Sequence, residues 1–63
     1  MSIYTATQKA DAYIQGYDEG YFTGGIYRNA YNPYTTYWPG ALLNWEWRCG
    51  FIDGAAQKKA LGY

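Results

Sequence analysis

The sequence predicts an all-α protein: a two-helix antiparallel hairpin, packed through glycine and joined by an aromatic-rich connecting segment. Three observations predict it. Tyr13, Tyr17 and Tyr21 recur every four residues, and Gly16, Gly20 and Gly24 recur at the same interval, one step away. In the second half Gly50 and Gly54 repeat that spacing beside Trp47, Phe51 and Ile52. Residues four apart share one face of a helix. Each half therefore offers a ridge of rings beside a groove without side chains. Glycine costs about 1 kcal/mol relative to alanine inside a helix. Close approach of another backbone or a flat ring offsets that cost, so Tyr13, Gly16, Tyr17, Gly20 and Gly24 are expected to pack against Trp47, Gly50, Phe51 and Gly54.

Taken in order, residues 1–4 form a short arm. Thr5 or Thr7 caps a first helix at about 6–24. Asp11 complements its dipole, and the pair Gly24-Gly25 ends it in a left-handed cap. Residues 25–39 are the connection. Asn32-Pro33 marks a turn there, because proline pushes the preceding residue out of helical geometry. Four tyrosines and Trp38 in this segment imply that it folds back onto the helices, with a short helical turn around 26–31. Pro39 suits the first turn of a second helix at about 40–61. In that helix Leu43, Trp47, Phe51 and Ala55 are spaced by four, with the glycines on an adjacent row. Lys58 and Lys59 fit the negative end of its dipole, and Gly62 stops it.

A chain of 63 residues is one domain, 1–63, and buries only about 60% of its unfolded surface. Cys49 is the only cysteine and there is no histidine, which leaves no intramolecular disulfide, no metal site and no cofactor site. A partner chain is then the expected source of extra stability, most simply in a homodimer. Nine tyrosines, three tryptophans and two phenylalanines are amphipathic rings suited to half-buried and interface positions. Charge is balanced at zero, which gives no steering toward nucleic acid or an acidic membrane. No apolar run reaches the ~20 residues of a membrane span, and the start lacks the features of a signal peptide. The cytoplasm of a bacterial host cell is the expected location.

An enzyme is not expected. Adjacent Asp18 and Glu19 diverge on a helix, Glu46 and Asp53 stand two turns apart, and no nucleophile–base pair exists. Catalytic residues are therefore none. Cys49 beside Arg48 reads as an inert thiol. Trp45 and Trp47 cannot both face the partner helix, and Trp45 is the one expected outside. Tyr31, Tyr34, Tyr37, Trp38 and Trp45, with Arg28 and Arg48, are the candidate partner-binding residues. The tyrosine ladder is core, binding face, or both, if the rings bury their faces and present their hydroxyls.

The order G-Y-x-x-G at Gly16, Tyr17 and Gly20, then P-Y at Pro33 and Tyr34, then W-x-x-G-F at Trp47, Gly50 and Phe51 resembles ribosome modulation factor. The resemblance covers residues 12–56. It implies two helices and a linker, and a cytoplasmic protein that binds the ribosome and its rRNA during hibernation. That family is strongly basic, whereas this chain has five basic residues balanced by five acidic ones. Two function classes follow. One is a protein-binding module, such as a phage- or mobile-element-encoded inhibitor of a host machine. The other is a ribosome- or rRNA-binding modulator, with Arg28, Arg48 and Lys9 on phosphates and linker rings stacked on bases.

Overall fold

The computed structural model describes residues 3–27 and 30–62. It contains two helices, α1 at Ala6–Thr23 and α2 at Ala41–Leu61, packed against each other along their length. The all-α, two-helix reading is what the chain adopts.

Both helices end as their sequences dictate. At the start of α1 the Gln8 amide donates to Thr5 Oγ1 (3.1 Å) and the Thr5 amide donates to Gln8 Oε1 (2.8 Å). These two bonds form a reciprocal capping box. Thr5, not Thr7, is the cap, and Asp11 lies beyond the first turn of α1, where it does not serve the dipole. Gly24 (φ 68°) and Gly62 (φ 76°) close α1 and α2 in the left-handed conformation that side chains disfavour. Pro39 stands just outside α2, whose N-cap is Gly40.

The helices run parallel, and this corrects the antiparallel expectation. A β-carbon on Gly16 would fall 1.9 Å from the carbonyl oxygen of Trp47, and one on Gly20 would fall 2.0 Å from that of Phe51. Reciprocally, Gly50 meets the Tyr13 carbonyl at 2.0 Å and Gly54 meets the Tyr17 carbonyl at 2.1 Å. Partner numbers rise together along both helices, so both point the same way. The physical reason lies in the connection. An extended chain covers about 3.3 Å per residue, so residues 24–40 easily run back along a helix about 31 Å long. Antiparallel packing is required only when the loop is short.

The contact is also self-similar. Tyr13, Gly16, Tyr17 and Gly20 correspond to Trp47, Gly50, Phe51 and Gly54 at a constant offset, and each set lays the backbone of its aromatic residues against the other's glycines. Such reciprocity is the intramolecular form of a two-fold interface. Where each β-carbon is missing, a Cα–H aims at a carbonyl oxygen. Such contacts contribute about 0.5–1 kcal/mol each. Gly24 takes no part in the crossing. A side chain there would meet only the stem and ammonium of Lys58, near 3.8–3.9 Å.

Parallel helices bring both negative dipole ends together. Lys58, in the last turn of α2, lies over the α1 terminus at Gly24, so one ammonium faces two helix ends.

Candidate functional site

The connection divides the helix pair into a covered and an uncovered face. After Gly25 it turns back, and the Ala30 amide donates to the Tyr27 carbonyl (2.9 Å); the middle of the 26–31 stretch expected to be helical lies outside the described residues. The Tyr27 ring meets Trp47 edge-on at 6.2 Å and Phe51 at 5.3 Å, while Trp47 and Phe51 stack at 5.3 Å. Trp47 is 1% exposed, and Ala12 and Phe51 complete the buried apolar set. Farther along, the Asn44 side-chain amide donates to the Tyr34 carbonyl (2.8 Å). Asn32 donates to the Asn44 carbonyl (3.4 Å) and accepts from the Tyr34 amide (3.0 Å). Gln15 donates to the Tyr34 hydroxyl (3.0 Å). These bonds tie both helices to the connection, and among the described residues no buried side-chain polar atom lacks a partner.

At about 100° per residue, Asn44 and Phe51 lie toward one side of α2, and Cys49 and Asp53 toward the other. The second side is the uncovered face. There Tyr13 and Tyr17 stand half-buried with ring centres 6.3 Å apart. The Tyr13 hydroxyl donates to the Asp53 carboxylate. That bond, with some desolvation and the nearby negative charge, pushes the Tyr13 pKa up to about 12.

The sequence-predicted interaction residues separate. Tyr31, Tyr37 and Trp38 are exposed at 77%, 81% and 70% and belong to the connection. Tyr34 is half-buried and hydrogen-bonded within the chain. Its hydroxyl accepts from Gln15 and its carbonyl accepts from Asn44, so it helps to hold the connection. Trp45 (63% exposed) and Arg48 lie on α2, on the side turned away from α1. Arg28 falls outside the described residues. Tyr13, Gly16, Tyr17, Gly20, Trp47, Gly50, Phe51 and Gly54 all lie in the crossing.

A shallow recess of about 360 Å³ opens beneath the connection, lined by Gln15, Asp18, Glu19, Tyr31, Pro33 and Trp47. Its two carboxylates make it unfavourable to a phosphate and favourable to a cationic or polar side chain. Among the described residues the cations are dispersed: Lys9 near the start of α1, Arg48 on α2, and Lys58 and Lys59 at the opposite end. Among the described residues no three metal-ligating side chains converge. No helix is long and apolar enough to cross a membrane.

Sequence reasoning missed Gln15 and Asn44, which with Asn32 place the connection, and Tyr27, whose ring packs edge-on against Trp47 and Phe51. The Asn32-Pro33 step was a signal for the Asx turn that organises them. No family model, curated protein or solved structure matches this chain.

Proposed function

We propose that the chain is a non-catalytic interaction module that docks onto a protein partner through the rings of its connection. Tyr31, Tyr37 and Trp38 are the contact residues, and a macromolecular machine of a bacterial cytoplasm is the target. The observation that carries this reading is the inversion of ordinary aromatic burial. Three large rings stand mostly free on a segment whose backbone is anchored by Asn32, Tyr34 and Asn44. Such pre-positioned rings lose little entropy on binding and serve as anchors. Protein is favoured over rRNA by the scatter of cations and by the carboxylates of the adjoining recess. Phosphate recognition needs a cation for each contact.

The test is capture of a partner from bacterial lysate with and without ribonuclease, followed by affinity for the purified partner across a salt range. Protein docking predicts ribonuclease-resistant capture and little salt dependence. Trp38→Ala should weaken binding by about 2 kcal/mol, roughly thirty-fold. Ribonuclease-sensitive capture overturns it, as does a log–log salt slope approaching −3. That slope corresponds to about four phosphates at roughly −0.7 each, and either result restores the ribosome-modulation reading.

A further inference from the structure

We propose that α2 also binds α2 of a second copy of this chain, the two helices running parallel and in register, with Arg48 of each facing Asp53 of the other. The surface concerned is the side of α2 opposite α1, separate from the rings of the connection. Leu42, Trp45, Cys49, Ile52 and Ala56 follow one another at intervals of three and four, the spacing of a helix-pairing seam. The seam is open. Trp45 and Ile52 are 63% and 66% exposed, and Leu42 and Ala56 are exposed as well. Lys59 closes its far end, where a lysine stem covers apolar surface while its ammonium stays wet.

Charge selects the occupant and its direction. With Trp45 and Ile52 at d positions and Cys49 at a, Arg48 falls at g and Glu46 and Asp53 at e. Parallel, in-register pairing places each g residue beside the partner's e residue five positions on. Arg48 then meets Asp53 twice across the two-fold, while Glu46 meets Ala41 and is neutral. Antiparallel pairing opposes g to g and e to e, which sets Arg48 against Arg48 and acid against acid. Arg48 is exposed and makes no ion pair among the described residues, so it is available. Asp53 uses the Tyr13 hydroxyl on one oxygen and keeps acceptor capacity for a guanidinium. Two neutral chains add no net repulsion.

Area agrees. The chain exposes 4597 Å², against about 4100 Å² expected for a compact monomer of this mass. The fold is elongated and flat, with principal-axis extents of 40 × 21 × 11 Å. The seam is about 27 Å long and one helix wide, which is the low end of a specific interface, so a micromolar dimer is expected.

The experiment uses the full chain in sedimentation equilibrium together with diamide oxidation at Cys49. A disulfide needs Cα atoms about 4.4–6.8 Å apart, a separation that in-register pairing supplies at Cys49. Antiparallel layers put Cys49 opposite Trp45 or Ile52. The expected result is a reversible dimer in the micromolar range that oxidises rapidly to a Cys49-linked dimer. Arg48→Asp should weaken dimerisation at least ten-fold, and Arg48→Asp with Asp53→Arg should restore it. Circular dichroism confirms that each variant folds, and Ile52→Asp provides a second disruption. A monomer at hundreds of micromolar overturns the proposal, as does a dimer that resists Cys49 linkage or a failure of the charge exchange to rescue. Trp38→Ala should leave the dimer intact, so this result and partner docking stand or fall separately.

Discussion

Gly20→Ala sets two well-calibrated effects against each other. Helix propensity alone favours alanine by about 1 kcal/mol. The packing opposes it, because the new methyl would sit 2.0 Å from the Phe51 carbonyl oxygen, where ordinary contact begins at 3.4 Å. The obstacle is backbone, so no rotamer relieves it, and the helices must part by roughly 1.4 Å on these distances. Overpacking of that kind costs about 1–3 kcal/mol, and parting the helices also forfeits the Cα–H···O contacts, at about 0.5–1 kcal/mol each. The net expectation is a loss of about 1–2 kcal/mol. In a domain of this size that lowers the melting temperature by roughly 5–15 °C. The assay is thermal and urea denaturation followed by circular dichroism at fixed protein concentration. Gln57→Gly, on the exposed side of α2, serves as a propensity reference and should cost about 0.5–1 kcal/mol. A Gly20→Ala variant that melts higher than the parent would refute the close crossing, since propensity would then be acting unopposed.

Three further outcomes follow from the same contacts. Asn44→Ala removes the donor to the Tyr34 carbonyl and should cost about 1–3 kcal/mol, with faster amide exchange across residues 30–37 as its local signature. Lys58→Gln removes the cation shared by two helix ends and should cost about 0.3–1 kcal/mol, an effect that shrinks in high salt. Tyr13 should ionise near pH 12 in an ultraviolet titration, and Asp53→Asn should return it toward 10. Because the folded-state value is the raised one, its stabilisation is complete below pH 10 and disappears between 10 and 12. Tyr13→Phe should flatten the stability profile in that window.

Much of the fold was legible because its signals are local. Four-residue spacing of rings and glycines, Thr5 before a periodic run, and Gly24 and Gly62 after theirs each act within a turn or two of helix. The direction of α2 was not, because it depends on a choice between a loop that turns and one that returns, and composition does not distinguish them. The offset from Tyr13, Gly16, Tyr17 and Gly20 to Trp47, Gly50, Phe51 and Gly54 was available as a clue, since reciprocal packing of like motifs suits parallel helices. Tyr34 and Tyr37 show the matching limit at the site. They lie three apart in one aromatic segment, yet the Tyr34 hydroxyl is bonded to Gln15 while the Tyr37 ring is 81% exposed. Only the path of the chain decides which ring is spent on folding.

The parallel, glycine-locked register governs everything else, because it determines which face the connection covers and which surfaces remain for partners. Its most direct test is a set of interhelix nuclear Overhauser effects in a uniformly labelled sample. The register predicts contacts from the Gly16 and Gly20 α-protons to Trp47 and Phe51, and from Gly50 and Gly54 to Tyr13 and Tyr17. Contacts of Gly16 with Gly54 and of Gly20 with Gly50 would mark an antiparallel pair and contradict the account.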